Sequence, residues 1–305
     1  MYDLIIIGTG PAGLCAAIYA QRARLHTLLL EKSFANGGQI INTSEVDNYP
    51  GLPGVTGLEL AEAMKAHAEK TGIRPVRENV KEIRSEGSIK KVITNKSVYE
   101  TKTVLIAAGA RHSLLGVPGE EELAGAGVSY CATCDGAFYK DQTVAVVGGG
   151  NVAVEDAILL ARICKKVYVI HRRDELRAER ILQENLLAME NVEMCWNSVV
   201  VSIDGEEEVT GVTIENKTDG SVTSLEVNGV FIAVGIQPNT ESFTGLVEQD
   251  DKGYLVAGED GKTSVEGIFA AGDVRTKEMR QIITAASDGA NAVHSIQKYL
   301  LTLPV

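Results

Sequence analysis

The chain has few of the residues that build disulfide frameworks and metal sites. Among its 305 residues are 5 cysteines and 5 histidines. An odd and low number of cysteines argues against a secreted, disulfide-stapled fold and favours a reducing compartment, so we expect a cytoplasmic protein. A zinc site needs four ligands, usually two Cys-x-x-Cys pairs or one pair with histidines. The sequence has one such pair and no His-x-x-x-His spacing, so we expect no metal centre.

The chain also lacks an excess of positive charge. Its 29 lysines and arginines face 41 aspartates and glutamates, which gives a formal net charge of −12. This balance argues against broad binding to nucleic acid and against adsorption to anionic membranes. Hydrophobic residues make up 45% and charged residues 23% of the sequence, an ordinary composition for a soluble globular protein. The length predicts about two domains.

We find no segment that reads as a membrane span or a signal peptide. Residues 4–21 carry no charge and approach the length of a span, but Gly8, Gly10, Pro11 and Gly13 interrupt them. The chain starts with "MYD", which has an acid where a signal peptide carries positive charge. We therefore interpret the segment as a buried strand, a turn and a helix.

Instead, the sequence contains an internal repeat. The segment "YDLIIIGTGPAGLCAAIYAQRARLHTLLLEKS" near the start aligns without gaps with "DQTVAVVGGGNVAVEDAILLARICKKVYVIHRRD", which starts at Asp141. Each copy has an apolar, β-branched run, then glycines, then an apolar-periodic helix pattern, then a second apolar run. The pattern predicts two βαβ units of the same kind.

The glycines of both copies match the dinucleotide-binding fingerprint G-x-G-x-x-G or G-x-G-x-x-A. The first glycine permits a tight turn, the second lets the backbone approach a pyrophosphate, and the third small residue lets helix and strand pack closely. The pyrophosphate would sit at the helix N-terminus, where free N–H groups favour anions. The candidate cofactor-binding residues of these turns are Gly8, Gly10, Pro11, Ala12 and Gly13 in the first repeat and Gly148, Gly149, Gly150, Asn151, Val152 and Ala153 in the second.

The two repeats end differently. Glu31 ends the second strand of the first repeat, and an acid at this place suits a ribose with a free 2′-hydroxyl. The second repeat has no acid there and reads "HRRDELR". Guanidinium groups pair well with phosphate, so two charge-assisted hydrogen bonds would favour NADPH over NADH by on the order of a hundredfold or more. The candidates here are Lys32 beside Glu31, and His171, Arg172, Arg173 and Arg177.

The segments outside the repeats predict further strands and a last helix. "TKTVLIAAGARHSLLGVPG" predicts a strand, a glycine turn at Gly109 and a linker. Residues 196–235 alternate as in a β-meander that ends near Gly235, and a helix pattern covers about 281–300. Gly109 and Gly235 join the candidate cofactor-binding residues.

This arrangement places the second repeat inside the first domain. We expect an α/β protein in which residues 1–116 and 245–305 form the first dinucleotide-binding domain. A second domain, 117–244, interrupts it and carries the Cys-x-x-Cys pair.

The match to one known family extends over essentially the whole chain. It is carried by "GTGPAG", "NGGQI", "CATCDGAFY", "GGGNVAVEDA", "HRRDELRAE" and "GIFAAGDVRTKEMRQIITAASDGA". In these motifs the sequence resembles the bacterial-type, low-molecular-weight thioredoxin reductases. The resemblance implies two Rossmann-like domains of the three-layer ββα type, FAD in the first, NADPH in the second, and a homodimer. It also implies flavin contacts by residues outside the repeats, namely Gly37, Gly38, Gln39, Asn48, Gly272, Asp273, Arg280, Gln281 and Ile282.

The motif "CATCD" holds the Cys-x-x-Cys pair. Such a pair can supply half of a zinc site, cycle between dithiol and disulfide, or pack as inert thiols. Inert packing is disfavoured because the pair lies among glycine and polar residues rather than in an apolar run. We favour a redox dithiol formed by Cys131 and Cys134. We expect the lone cysteines Cys15, Cys164 and Cys195 to be packed thiols, with Cys15 and Cys164 inside predicted helices.

Two nucleotide sites and one cysteine pair form a complete electron relay. NADPH delivers a hydride, whereas a disulfide is cleaved by thiolate attack, and a flavin links the two kinds of chemistry. Electrons would pass from NADPH to FAD, then to Cys131 and Cys134, and on to the disulfide of thioredoxin or a thioredoxin-like protein. We expect Cys134 to face the flavin. By resemblance Cys131 would be the more exposed partner, and Asp135 would protonate a leaving thiolate.

The residues alone leave two points open. They do not decide which of Cys131 and Cys134 attacks the substrate. They also allow Asp135 to be a helix or turn cap instead of an acid.

The cysteine pair closely precedes Gly148, so it belongs to the same domain as the predicted NADPH site. Nicotinamide and disulfide would then need the same flavin in turn. The family's solution is rotation of the NADPH domain about its two linkers, which correspond to residues near 114–119 and 240–248 here. We adopt this rotation as a hypothesis.

Three other interpretations compete with this one. The first is a flavin-type thioredoxin reductase fed by ferredoxin, or another dithiol/disulfide oxidoreductase of the same architecture. Such variants generally lose the nucleotide signature, whereas "GGGNVA" and "HRRDELR" are both present here. A peroxiredoxin-system reductase carries an extra N-terminal thioredoxin-like region, which we do not expect because the fingerprint begins at Gly8. A non-catalytic redox sensor would need an output domain, and the sequence predicts none.

Overall fold

The computed structural model describes residues 1–43 and 45–303 and has a mixed α/β architecture, in which parallel strand pairs form the centre of the two larger sheets. This confirms the fold class expected from the sequence. Within those two ranges, no helix combines the length and the apolar character that a membrane crossing requires.

The chain divides into two compact units. The first comprises Met1–Arg111 and Gln237–Val305, and the second, His112–Ile236, is inserted between these segments. The domain boundaries expected from the sequence, at 116/117 and 244/245, lie a few residues further along the chain. The assignment of one cofactor to each unit stays a prediction.

Strands and helices alternate in the two repeats, whereas strands follow one another without an α-helix from Val76 to Ser129 and from Val192 to Ala270. The strands are β1 (Tyr2–Ile7), β2 (Thr27–Glu31), β3 (Val76–Arg77), β4 (Val80–Glu86), β5 (Ile89–Thr94), β6 (Val98–Ile106), β7 (Ala110–His112), β8 (Val128–Ser129), β9 (Thr143–Val147), β10 (Lys166–Ile170), β11 (Val192–Cys195), β12 (Ser198–Gly205), β13 (Val209–Asn216), β14 (Val222–Glu226), β15 (Gly229–Ile232), β16 (Ile236–Pro238) and β17 (Ile268–Ala270). The helices are α1 (Pro11–Arg22), α2 (Gly57–Lys70), α3 (Ala132–Asp135), α4 (Asn151–Ala161), α5 (Arg180–Leu187) and α6 (Ile282–Leu300). Short 3₁₀ turns lie at Gly38–Asn42, Gly136–Tyr139, Glu241–Phe243 and Gly272–Val274.

One sheet organises the first unit, in the order β3-β2-β1-β6-β5-β4, with β17 also paired to β6. β1 runs parallel to β2 and β6, and its last four residues are buried because both faces of the sheet are covered. Alternate side chains therefore enter different cores. Leu4 and Ile6 join a core with α1 and α6 residues, whereas Ile5 and Ile7 pack with residues of β4 and β5.

Small residues let α1 and α6 approach closely. A Cβ atom built on Gly289 of α6 would overlap the carbonyl of Ala12 and lie 3.0 Å from the backbone nitrogen of Ala16, both on α1. At the N-terminus of α6, the Gln281 backbone N–H donates to the Thr284 hydroxyl oxygen at 3.2 Å, and the Ala285 N–H donates to the Gln281 carbonyl at 2.9 Å. The predicted last helix is confirmed, and it packs at Gly289 against the first turns of α1.

The second unit contains a parallel sheet in the order β11-β10-β9-β15-β8 and an antiparallel sheet in the order β12-β13-β14. The segment β9–α4–β10 repeats the arrangement β1–α1–β2, as the internal repeat predicts. The expected meander over residues 196–235 holds only for β12 to β14. β15 leaves it and pairs in parallel with β9, because its four buried residues belong in a sheet covered on both faces. A two-stranded sheet joins β7 and β16, where the chain passes between the units.

Candidate active site and cofactor sites

The glycine turn after β1 has the backbone that its fingerprint predicts. Gly8 has φ +108°, and a Cβ atom there would overlap the carbonyl of Ala107, so this turn admits only glycine without strain. A Cβ on Gly13 would overlap the carbonyl of Gly8, which explains the close packing of helix and strand. Gly10 is different: the nearest atom to such a Cβ is the Gly37 carbonyl oxygen at 3.8 Å. The middle glycine thus leaves room for a ligand against the backbone.

The second repeat reproduces this pattern. Gly148 has φ +154°, and a Cβ on it would lie 2.6 Å from the Cβ of Ala153. A Cβ on Gly149 would overlap the His171 ring. At Gly150, no described atom comes within 4 Å of such a Cβ. The open middle glycine therefore recurs in both units and fits a pyrophosphate at each helix N-terminus.

Glu31 turns its carboxylate toward the first glycine turn. Its Oε2 accepts hydrogen bonds from the backbone N–H (2.9 Å) and hydroxyl (2.6 Å) of Thr9, and its Oε1 accepts from the Ser33 N–H (2.8 Å). A carboxylate has further lone pairs, so it retains capacity for a ribose hydroxyl. Lys32 follows with an exposed side chain.

The loop around Gly37 and Gly38 packs on the same turn. The Gly37 N–H donates to the Thr9 carbonyl at 2.9 Å, and a Cβ on Gly38 would lie 3.4 Å from the Cα of Gly10. The side-chain amide of Gln39 donates to the carbonyl of Ala110, the residue after Gly109. The structure thus brings the predicted flavin loop, the fingerprint turn and Gly109 into one region of the first unit.

The Gly272–Asp273 turn lies beside the start of α1 in the same unit. A Cβ on Gly272, whose φ is +79°, would lie 2.9 Å from the Cβ of Ala12. Asp273 is deeply placed: its Oδ1 is buried without a hydrogen-bond partner among the described residues. Burial raises the pKa of the Asp273 carboxyl, and the charges of Lys277 and Arg280 partly counter that rise. An unpartnered buried acceptor of this kind fits the hydroxyl donors of a ribityl or ribose group.

The predicted residues before α6 lie beside this turn. Gln281 accepts a hydrogen bond on Oε1 from the side-chain amide of Asn48 at 3.1 Å. The Arg280 guanidinium lies over the Tyr254 ring, 4.0 Å from its centroid, and its Nε is buried without a hydrogen-bond partner among the residues described. Ile282 begins α6. The geometry therefore joins Asn48, which the sequence tied only weakly to the flavin, to the segment 280–282.

A buried charge network that the sequence reasoning missed supports the Gly272 turn. Asp288 accepts hydrogen bonds from the Gly272 N–H (2.9 Å), from Nε and a terminal nitrogen of Arg275 (2.9 and 2.7 Å) and from Nζ of Lys277 (2.9 Å). The Asp288, Arg275 and Lys277 side chains are each less than a tenth exposed. The sequence feature that could have predicted this network is Asp288, an acid inside the apolar pattern of the last helix, which follows the basic residues Arg275 and Lys277.

The basic segment after β10 lies beside the second glycine turn. Arg172, Arg173 and Arg177 are exposed, and the Arg177 N–H donates to the Gly149 carbonyl at 2.7 Å. His171 is buried, and burial, together with the positive charges of Arg177 and Arg172, lowers its pKa. The residues predicted to bind the phosphate thus lie together, as exposed guanidinium groups beside a buried imidazole.

The other predicted residues of this unit flank the same turn. Asn151 accepts the Glu179 N–H at 2.9 Å and donates to Glu179 Oε1 at 3.1 Å, which fixes the loop after the arginines to the start of α4. Val152 is exposed. Gly235 accepts the Ser113 N–H at 2.9 Å, near the start of the unit.

The Cys-x-x-Cys pair forms a disulfide in which the Cα atoms of Cys131 and Cys134 are 5.3 Å apart. This confirms the predicted redox-type pairing. Cys131 caps α3, and the Cys134 N–H donates to its sulfur at 3.2 Å, a contact that favours a thiolate on Cys131 in the reduced pair. Both side chains are half-buried, so exposure does not distinguish them. In the described part of the chain, we find no cluster of three or more potential metal ligands.

Asp135 follows the pair at the end of α3. Its Oδ2 accepts the Ser129 hydroxyl at 2.6 Å, and its Oδ1 is buried without a hydrogen-bond partner within the described ranges. Burial raises the pKa of this carboxyl, while the Ser129 hydrogen bond lowers it. Its side chain does not cap the following 3₁₀ turn, and the cap of α3 is Cys131. These features suit a proton donor better than a cap.

The three remaining cysteines are free. Cys15 lies within α1, as predicted, whereas Cys164 lies beyond the end of α4, so its predicted helical position is wrong. The helix ends because the chain turns at Arg162 to enter β10; the Cys164 N–H still donates to the Leu160 carbonyl. Burial raises the pKa of Cys15, Cys164 and Cys195 to about 11, which keeps these thiols protonated and unreactive.

Comparison with known proteins agrees with this architecture. Residues 2–289 match the family model described as pyridine nucleotide-disulphide oxidoreductase. The chain is 46% identical to a thioredoxin reductase of Listeria monocytogenes over 98% of this chain and 94% of that protein. It is 44% identical to a thioredoxin reductase of Bacillus subtilis over 98% of this chain and 95% of that one. A crystal structure of thioredoxin reductase from Streptococcus pyogenes has 47% identity and a TM-score of 0.95 over 99% of both chains.

Thioredoxin reductases of this family use FAD and NADPH. Both cofactors contain a pyrophosphate, and each unit offers a glycine turn with an open middle position at a helix N-terminus. The buried acceptor of Asp273 and the arginines after β10 add partners suited to hydroxyl and phosphate groups. The chain belongs to the pyridine nucleotide-disulphide oxidoreductase family and, within it, to the thioredoxin reductases.

Proposed function

We propose that the protein is a thioredoxin reductase that passes electrons from NADPH through FAD and the Cys131–Cys134 pair to the disulfide of thioredoxin or a thioredoxin-like protein. The observation that carries this proposal is the Cys131–Cys134 disulfide, with a buried carboxyl directly after it, in a unit that also holds an arginine-flanked nucleotide turn. When bound, FAD supplies a carrier that takes a hydride's electrons and gives them to a disulfide.

Each cofactor is assigned to one unit on the contacts described above. We infer that FAD is held in the first unit by Gly8, Gly10, Pro11, Ala12, Gly13, Glu31, Lys32, Gly37, Gly38, Gln39, Asn48, Gly109, Gly272, Asp273, Arg280, Gln281 and Ile282. NADPH is held in the second by Gly148, Gly149, Gly150, Asn151, Val152, Ala153, His171, Arg172, Arg173, Arg177 and Gly235. The arginines favour NADPH over NADH because guanidinium groups pair with the 2′-phosphate.

The two cysteines divide the thiol–disulfide chemistry. In the reduced pair, the Cys131 thiolate attacks one sulfur of the substrate disulfide; a new S–S bond forms, and the other substrate sulfur leaves as a thiolate. The Cys134 thiolate then attacks Cys131 of this mixed disulfide, restores the internal disulfide and releases the substrate dithiol. Two electrons have passed from the pair to the substrate. The amide that donates to the Cys131 sulfur supports this order, and Cys134 is then the cysteine that faces the flavin.

Asp135 supplies protons to this exchange. A carboxyl whose pKa is raised by burial holds its proton nearer to neutral pH and can give it to a thiolate. Its transfer leaves a carboxylate, which the Ser129 hydroxyl stabilises.

We further propose that the enzyme acts as a homodimer and that it works in the cytoplasm. Its second unit rotates about the linkers near 114–119 and 240–248, so that nicotinamide and the cysteine pair use the flavin in turn. Light scattering of the purified holoenzyme tests the first of these, with a monomeric mass contradicting it.

A coupled assay tests the proposed function. The purified holoenzyme, its flavin spectrum recorded, is mixed with oxidised thioredoxin and either NADPH or NADH. We expect NADPH oxidation that depends on thioredoxin, matches the thiols formed and greatly exceeds the rate with NADH. Oxidation that is independent of thioredoxin, or reduction of thioredoxin by reduced ferredoxin alone, would overturn the proposal.

A further inference from the structure

Ser129 connects the redox pair to the acid that follows it. This serine ends β8, and the residue is 4% exposed. Its hydroxyl oxygen lies 2.6 Å from Asp135 Oδ2 and accepts the Cys131 N–H at 3.1 Å. A second acceptor, the Cys131 carbonyl, is at 3.4 Å, so the shorter contact takes the hydroxyl proton. One buried side chain thereby links a strand, a reactive cysteine and a carboxyl.

The two oxygens of Asp135 are not equivalent. Oδ2 accepts the Ser129 hydroxyl, whereas Oδ1 is buried and, within the described part of the chain, has no hydrogen-bond partner. Oδ2 can keep accepting this hydrogen bond whether the carboxyl is ionised or carries its proton on Oδ1. The hydroxyl therefore serves both protonation states, and it leaves the transferable proton on the oxygen that no protein group holds.

We propose that Ser129 is a positioning residue for thiol–disulfide exchange, which orients Asp135 and directs its transferable proton to Oδ1. This inference rests on the proposed role of Asp135 as the acid. In the step itself, the O–H bond at Oδ1 breaks and an S–H bond forms on the departing thiolate. The remaining carboxylate keeps the Ser129 hydrogen bond, and no electron moves in this proton transfer.

The surroundings of Asp135 determine the sign of the expected effect. Burial raises the pKa of Asp135 and the Ser129 hydrogen bond lowers it. Tyr139, on the next turn, has a pKa raised by burial and by the Asp135 charge. α4, which packs against α3, carries Glu155 and Asp156, and burial with the Glu155 charge raises the pKa of Asp156 to about 6. Loss of Ser129 removes the hydrogen bond that lowers the pKa of Asp135, so this pKa rises further above its usual value.

The test compares holoenzymes of the wild type, Ser129→Ala, Ser129→Thr and Ser202→Ala. Ser202 is a matched control because its hydroxyl donates to Asp204 Oδ1 at 2.8 Å, within the separate β12 strand segment. We expect Ser129→Ala to lower kcat for thioredoxin reduction about tenfold. The alkaline limb of its pH profile moves to higher pH by about one unit, because the acid keeps its proton longer. Ser129→Thr retains the hydroxyl and stays within about twofold of the wild type in kcat, as does Ser202→Ala.

A second readout does not depend on catalysis. Infrared titration of the oxidised enzyme without substrate, taken as a difference from Asp135→Asn, reports the pKa of this carboxyl. We expect a higher pKa in Ser129→Ala than in the wild type and an unchanged one in Ser202→Ala. If Ser129→Ala does not fold, Ser129→Gly removes the same hydroxyl.

The outcomes separate the two proposals. An unchanged carboxyl pKa together with an unchanged pH profile in Ser129→Ala overturns the role of Ser129. A wild-type enzyme that does not reduce thioredoxin overturns the proposed function instead, and the infrared titration still decides whether Ser129 controls Asp135.

Discussion

The Asp288 carboxylate holds the Gly272 turn against the last helix by accepting the Gly272 N–H at 2.9 Å. The same carboxylate accepts hydrogen bonds from Arg275 and Lys277, which lie on the segment after the turn. Because Gly272 precedes Asp273, this contact fixes the place of the residue that we assign to the flavin. A charge network buried in the protein thus supports a cofactor loop.

Replacing Asp288 should destabilise the protein strongly. Asp288→Ala removes the buried carboxylate that pairs with Arg275 and Lys277, and Arg275 then keeps only its ion pair with the exposed Glu259 carboxylate. Loss of one member of a buried pair typically costs about 3–5 kcal/mol of unfolding free energy. Urea unfolding of the apoprotein, followed by circular dichroism, measures the change. Glu86→Ala, which breaks an exposed pair with Lys91, is the control and should leave the midpoint near the wild-type value. Equal midpoints for Asp288→Ala and the wild type would contradict the network's role.

The contribution of Asp288 should disappear in acid. Burial raises its pKa, but the hydrogen bonds and charges of Arg275 and Lys277 outweigh burial and hold the pKa below its usual value. The folded-state pKa therefore lies below the unfolded value of about 3.9, so the stabilisation is complete above that value and is lost as pH falls through the folded pKa. The difference in unfolding free energy between the wild type and Asp288→Asn should stay level from about pH 5 to 7 and shrink below about pH 4. A difference that grows toward acid pH would refute this assignment.

The arginines after β10 should decide the choice of nicotinamide cofactor. Arg172→Ala and Arg177→Ala each remove a candidate charge-assisted hydrogen bond to the 2′-phosphate, so we expect KM for NADPH to rise about tenfold or more in each variant. Because NADH lacks that phosphate, its kcat/KM should change little. Arg162→Ala, at the exposed end of α4, serves as the charge-matched control. If KM rises equally for NADPH and for NADH, the arginines do not bind the 2′-phosphate.

The glycine turns and the disulfide could be predicted from the sequence because each depends on short spacing. Gly8, with its tight turn, and Gly10, with its open position, are two residues apart in one motif. Cys131 and Cys134, which form the disulfide, are three residues apart in another. The last helix was predictable for the same reason, since its apolar period is continuous.

Features that depend on tertiary contacts could not be predicted from the sequence. The sequence interpretation grouped β15 with the alternating strands before it, but β15 is a short apolar run that is buried on both faces and pairs with β9 in the parallel sheet. Asp288 meets Gly272 and Arg275 across a turn and a helix, and a pattern of residue types does not show which buried charges become partners. Nothing in the sequence distinguishes Ser129 from other strand residues, because its role depends on the hydrogen bond that its hydroxyl donates to Asp135 in the folded chain.

The central claim is that electrons from NADPH pass through the flavin into the Cys131–Cys134 pair. The flavin and the disulfide each take up two electrons, and one NADPH supplies two. The oxidised holoenzyme can therefore oxidise two molecules of NADPH, one for each group. Cys134→Ser removes the second acceptor and leaves the first. Cys195→Ser changes a half-buried free thiol outside the pair and serves as the control.

An anaerobic titration with NADPH tests this claim most directly. We predict that the wild type and Cys195→Ser consume about two equivalents of NADPH before the reduced cofactor accumulates, whereas Cys134→Ser consumes about one and still shows a bleached flavin. Consumption of about one equivalent by the wild type, or of about two by Cys134→Ser, would contradict the relay.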